Sequence, residues 1–134
     1  MKPPEQVKTE FFKQWLGKAV QDLAAAKILL REETSFLSTV GFHCQQAAEK
    51  LLKALLSEFG IAFPRTHNLR LLMDLLVDGG YPLPPELDDL DSLTPFGTLF
   101  RYEDIPSATR LDRESVIDMV RRLRAHAVKH IRYS

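Results

Sequence analysis

The sequence is short of cysteine, of net charge and of long apolar runs, and each shortage excludes something. A single cysteine, Cys44, rules out an intramolecular disulfide and argues against a secreted disulfide scaffold. Eighteen Lys and Arg balance eighteen Asp and Glu over 134 residues, so no overall field draws the chain to nucleic acid or to an anionic membrane. No apolar run approaches the ~20 residues that cross a bilayer; Leu23 to Leu30 is interrupted by Lys27. The opening residues carry Lys2, Glu5, Lys8, Glu10 and Lys13, a charge density unsuited to a secretory signal. We therefore expect a soluble, cytoplasmic protein with no membrane association. Standard enzyme signatures are missing too: no Gly-rich phosphate loop, no G-x-S-x-G elbow, no cysteine cluster and no G-S acidic triad of a nucleotidyltransferase.

What the chain does have is helical period. A 45% hydrophobic and 27% charged composition is that of one globular domain. Phe12, Trp15, Ala19, Leu23, Ala26 and Leu30 recur at spacings of three and four, predicting a helix from Thr9, its N-cap, to Arg31. Residues 1–8, with Pro3-Pro4, read as a frayed lead-in. A second helix should open near Ser35 or Ser38 and end at Phe59, with Gly60 as its cap. A short third helix buries Leu69, Leu72, Met73 and Leu76 and stops at Gly79-Gly80. An acidic fourth, from Glu86 to about Leu93, should stop at Thr94-Pro95, because the residue before proline disfavours helix. Thr98 to Thr109 looks irregular, and a last helix runs from Asp112 to about Arg132. No segment alternates like a strand. The expected fold is all-α, an up-and-down bundle of four to five helices forming a single domain.

Three stretches could carry chemistry. On the second helix, His43, Gln46, Lys50 and Lys53 fall at i, i+3, i+7 and i+10, a polar stripe beside the apolar one. Imidazole, amide and ammonium groups in a row suit a phosphate or a partner helix. The plainer reading is a solvated face on which Glu49 and Lys53 form an i,i+4 pair, with Cys44 a small buried hydrophobe. On the last helix, Arg122, His126, His130 and Tyr133 share one flank. Arginine clamps phosphate and histidine moves a proton near neutral pH, two parts of a metal-independent ribonuclease. His126 and His130 also have the i,i+4 spacing of a metal pair, but no glutamate lies between them as in H-E-x-x-H, so no metal site or cofactor is expected. Arg110 to Arg132 holds seven basic residues, whereas Glu86 to Asp104 holds six acids and only Arg101. That split suits pairing within a bundle or between subunits better than a nucleic-acid surface, and no aromatic residues interleave to stack bases. The third stretch is Arg101-Tyr102, with His67-Asn68-Leu69 at the start of the third helix as ambiguous company.

Phe42-His43 followed by Gln45-Gln46-Ala47-Ala48-Glu49-Lys50 and Leu52-Lys53-Ala54 resembles the signature helix of the prokaryotic HEPN domain family. Trp15, Asp22-Leu23, His67-Asn68-Leu69 and Arg101-Tyr102 flank it in the family's order. The resemblance implies a helical bundle that forms a homodimer through long helices. It also implies a separately encoded minimal nucleotidyltransferase as partner, often in a toxin–antitoxin pair. Many such toxins are metal-independent RNases with Arg, four to six residues, then His on the last helix, and two copies form one site across the dimer. Here Arg121 and His126 have four residues between them, and Arg124 and His130 have five. Other branches are assigned nucleotide binding or a non-catalytic role, which would use His43, Gln46, Lys50, His67, Arg101 and Tyr102. In some family toxins a tyrosine two residues after the motif histidine accepts AMP; here Val128 and Arg132 stand at that position and Tyr133 is one residue late, so the sequence departs from that pattern. Three readings stay open: a nucleotide or partner module, an RNase acting on RNA, and a structural adaptor.

Overall fold

The structure, a computed structural model, describes residues 3–32, 37–97 and 112–130. Arg101, Tyr102, the irregular stretch around them, Ile131, Arg132 and Tyr133 lie outside the described residues. Four α-helices and one 3₁₀ segment make up the described chain: α1 (Pro4–Leu30), α2 (Leu37–Glu58), α3 (Leu69–Asp78), the 3₁₀ segment (Pro85–Gly97) and α4 (Arg113–Val128). There is no strand among the described residues, and the all-α bundle expected from periodicity is what forms. No helix among them is long and apolar enough to cross a membrane.

The start of α1 corrects the expected boundary. Pro4 occupies the first turn, where its missing N–H is not needed, so the helix begins five residues before Thr9. Thr9 is a buried helical residue whose hydroxyl donates to the Glu5 carbonyl, 3.1 Å away, and is not a cap. The other ends follow their local chemistry. After α2, Gly60 takes φ +72° and the Ile61 N–H reaches back to the Leu56 carbonyl at 2.9 Å. After α3, Gly80 takes φ +89° and Tyr81 N–H reaches Leu76 at 2.8 Å. Both are six-to-one closures that need a left-handed residue. Asn68 caps α3 through Leu71 N–H, and Asp112 caps α4 in a reciprocal box with Ser115.

The fourth helix is a 3₁₀ segment, and it does not stop at Thr94-Pro95. Its buried residues are Leu87, Leu90, Leu93 and Phe96, a spacing of three that keeps one face inward only at three residues per turn. Thr94 Oγ1 accepts the Leu69 N–H at 3.3 Å and ties this segment to the start of α3. Phe96 lies so close over Gly41 that a Cβ there would sit 2.5 Å from its Cδ1, and a Cβ on Gly97 would sit 2.1 Å from Gln45 Cδ. Those contacts bring the segment's far end onto the first half of α2.

α2 is the centre of the bundle. Val40, Cys44, Ala48, Leu51, Leu52 and Leu55 are all at most 1% exposed and share one side of the helix. Buried Ala54 on one flank and Leu56, Gln45, Glu49 and Lys53 on the other widen the covered arc to about 260° at ~100° per residue. Each buried leucine contributes about 1.5–3 kcal/mol, while Gly41, Ala47 and Ala54 let α1, α4 and the 3₁₀ segment come close. α1 runs antiparallel to α2, the 3₁₀ segment climbs back along it, and α4 descends toward Phe59. Only a narrow side of the helix, at Thr39, Phe42, His43, Gln46 and Lys50, is exposed or partly buried. The polar residues on that side and at its buried edge form the candidate site.

Candidate functional site

α1 presents Trp15, Lys18 and Asp22 at i, i+3 and i+7 toward the polar edge of α2. At one end of this seam the Asp22 carboxylate stands between two side chains of α2. Its Oδ1 lies 3.3 Å from His43 Nδ1, and its Oδ2 accepts from Lys50 Nζ. His43 and Lys50 are two turns apart on α2, so one carboxylate spans both. At the other end Lys53 Nζ sits 5.7 Å from the Trp15 ring centroid, with Lys18 over the same ring at 5.2 Å.

The adjoining stripe of α2 is Gln45, Glu49 and Lys53, at i, i+4 and i+8. Glu49 is 6% exposed at its side chain and is held on both oxygens. Oε1 is 2.7 Å from His67 Nδ1 and 3.4 Å from Gln45 Nε2, and Oε2 is 3.1 Å from Lys53 Nζ. Gln45, fully buried, also donates to the His67 carbonyl at 3.3 Å and accepts from Gln46 Nε2 at 2.8 Å. Burying these charges without partners would cost several kcal/mol; here every one is paired. The two halves share a plan: a carboxylate of low exposure, one oxygen on a lysine, the other on an imidazole Nδ1.

The Glu49–Lys53 pair is therefore not on a solvated face. It is enclosed, with side-chain exposures of 6% and 10%, because α1 and the turn before α3 cover it. Cys44, next to the seam, is an inert core group whose thiol burial pushes up to about 12.

α4 is built differently. Arg121, Arg122 and Arg124 are exposed, and Arg122 pairs with Asp118 at 3.0 Å. Arg121 lines two shallow concavities, one of 460 Å³ with Asp112 and Asp118, the other of 270 Å³ with Arg124 and Val128. His126 turns elsewhere: its ring meets His130 edge-on at 4.9 Å, and His130 meets Phe59 at 5.1 Å, itself stacked on Tyr81 at 3.7 Å. Burial, then the charges of His130 and Lys129, hold His126 below the usual imidazole range against an opposing pull from Glu86. Arg121 and His126 are about 140° apart around α4 at ~100° per residue.

Of the residues singled out in the sequence, the structure gathers His43 and Lys50 on Asp22, and Gln46 and His67 on Gln45 and Glu49, in two neighbouring clusters. It pairs His126 with His130 and leaves Arg121 and Arg124 on the outside. Arg101 and Tyr102 lie outside the described residues. Asp22, Gln45 and Glu49 were not singled out for this role, yet they hold the clusters together. The only signal on α2 was that Gln45, Glu49 and Lys53 lie between the apolar stripe and the His43, Gln46 and Lys50 line, at the edge of the buried side. Among the described residues no group of three or more His, Cys, Asp or Glu is arranged to hold a metal ion.

No curated protein and no solved structure matched the chain. A family model for the HEPN domain matches residues 12–131, from Phe12 on α1 to just past α4, and so takes in the whole seam. With its all-α bundle and signature α2, the chain belongs to the HEPN domain family.

Proposed function

We propose that this chain is a nucleotide-binding or partner module. It acts as a homodimer beside a separately encoded minimal nucleotidyltransferase, in a toxin–antitoxin-type pair in the cytoplasm. The observation that carries the reading is the pair of matched clusters on α2. His43 and Lys50 are fixed by the partly buried Asp22, His67 by the buried Glu49 and Gln46 by the Gln45 amide, as recognition requires, whereas Arg121 and His126 point to different sides of α4. Arg101 and Tyr102 would complete the surface.

Anything that binds only the folded chain raises its stability, by about 2.7 kcal/mol at a hundredfold excess over Kd. The purified protein should melt higher with ATP or with the co-expressed transferase, and should leave RNA intact in EDTA. Unchanged melting with both would sink the proposal.

A second reading, an RNase with a site shared across the homodimer, is favoured by one observation. His126 is held toward its neutral form, which suits a base, and α4 also exposes Arg121 and Arg124, which suit a phosphate clamp completed from the second protomer. Cleavage that survives chelator and disappears in His126→Ala, or in His130→Ala for the Arg124 pair, would establish it. If the chain is only a helical adaptor, replacing any of these polar residues will change stability alone.

A further inference from the structure

The chain carries no net charge, yet its structure separates charge onto two faces. One is a strip along α4. Arg121, Arg124, Ala125 and Val128 fall at i, i+3, i+4 and i+7 and line one shallow concavity, with Lys129 next in sequence. All five are exposed, Val128 by 38%. Asp118, one turn before Arg121, is taken by Arg122. Among the described residues Arg121, Arg124 and Lys129 form no ion pair.

The other face is acidic and holds a groove. Between α3 and the start of the 3₁₀ segment, Met73, Val77, Leu83, Pro82, Pro84 and Pro85 line a concavity of 360 Å³ together with Arg70 and Asp88. Proline has no N–H, so this wall suits apolar contact better than main-chain pairing, and Val77 stands 55% exposed in it. Arg70 is the only basic residue from Leu69 to Gly97, and Asp74, Asp88 and Asp91 already share it. Asp78, Glu86 and Asp89, each next in sequence to a lining residue, are exposed and form no ion pair among the described residues. The acidic face thus lacks cations inside its own bundle, as the α4 strip lacks anions.

Building on the homodimer reading, we propose that the α3–3₁₀ groove takes the α4 strip of a second copy of this chain. Val128 and Ala125 lie over Met73, Val77 and Leu83, and Arg121, Arg124 and Lys129 face Asp78, Glu86, Asp88 and Asp89. A chain without net charge does not repel its own copy, so opposite patches decide how two copies meet. The apolar contact supplies affinity, while the surrounding charges steer the approach and fix its register. RNA and nucleotide phosphates are repelled by the groove, whose carboxylates outnumber its one guanidinium.

The test is sedimentation equilibrium of the full chain and of two variants that reverse exposed charge. Arg121→Glu with Arg124→Glu makes the strip acidic, and Asp78→Lys with Asp89→Lys makes the groove's surroundings basic. Circular dichroism should show both variants folded, since the four side chains are exposed and in no ion pair among the described residues. Each variant alone should self-associate about tenfold more weakly or worse, because like charges then meet. An equimolar mixture should recover the wild-type affinity, because each variant supplies the charge that the other has lost. Unchanged association of both variants, or a mixture no stronger than its parts, overturns the inference and leaves the homodimer reading to another face. A wild-type chain that stays monomeric at every concentration ends both. If the α4 variant loses RNA binding while associating normally, the strip faces RNA and the inference falls.

Discussion

His67 and His126 are the same side chain in opposite settings. His67 is the more exposed, yet its Nδ1 is tied to a buried carboxylate that is itself held by Lys53 and Gln45. His126 is more covered but leans on His130, with only a through-space pull from Glu86 favouring its charge. The α2 histidine is oriented by hydrogen bonds, which are directional, and the α4 histidine by ring packing and burial, which are not. An oriented imidazole can recognise, whereas one held by packing mainly contributes to stability. On that ground the proposed reading places binding on the signature helix, although α4 carries more exposed positive charge.

The sharpest way to break the contrast is to remove the carboxylate from one side. Glu49→Ala strands the Lys53 ammonium, 10% exposed, and leaves Gln45 and His67 without their common partner. Truncating one member of a buried pair costs about 3–5 kcal/mol. Arg122→Ala, which breaks the exposed Asp118 pair on α4, should cost about 0–1 kcal/mol. Urea denaturation of both variants measures the difference, and equal losses would mean that α2 is no more committed than the surface of α4.

The next effect tests the wall of the α2 site. A Cβ on Gly97 would sit 2.1 Å from Gln45 Cδ, inside any allowed contact. Gly97→Ala should push the Gln45 amide away from Glu49 and the His67 carbonyl, with an overpacking cost of about 1–3 kcal/mol. Its signature is a change at His67 in imidazole NMR while His126 is undisturbed. A shift at His126 of similar size would show the two regions to be coupled.

The bundle was legible because helical period is local. The Phe12–Leu30 stripe, the α3 face and both glycine caps follow from spacing and from residues that take left-handed backbone. Two boundaries were not legible, for separate reasons. Pro4 reads as a frayed end until its place in the first turn is seen, and Leu87-Leu90-Leu93-Phe96 has the period of a 3₁₀ segment, which mimics an interrupted α-helix. At the site, His43, Gln46, Lys50 and His67 could be picked out as polar residues near a helix edge. Their partners could not, since Asp22 meets Lys50 across 28 positions of sequence and Glu49 meets His67 across 18. Such pairings are decided by how helices pack, not by local spacing. The HEPN likeness included Asp22 and Glu49 without saying which side chains they hold.

A smaller effect checks that α4 is a locally specified helix. Asp112 accepts the Ser115 N–H at 2.7 Å, and the Ser115 hydroxyl accepts the Asp112 N–H at 3.0 Å. Asp112→Ala removes half of this box and should cost about 1 kcal/mol, read as a lowered urea midpoint. The His67 and His43 ring signals should be unaffected, since neither depends on how α4 begins.

The smallest effect separates the two kinds of histidine by pH. His126 is held below its unfolded value, so between those two values the unfolded chain binds more protons than the folded one. Stability from this group is therefore full above about pH 6.5 and is lost as pH falls through the lowered folded value. Glu86, His130 and Lys129 all act on this ring, and the ring is only partly buried, so the loss will be modest. His126→Gln removes the titration while keeping a polar side chain of similar reach. Comparing urea midpoints at pH 8 and pH 5 should show wild type losing more than His126→Gln over that interval. An equal loss would mean that desolvation by the His130–Phe59 stack does not govern His126. Its main claim to be a neutral base in an RNase site would go with it.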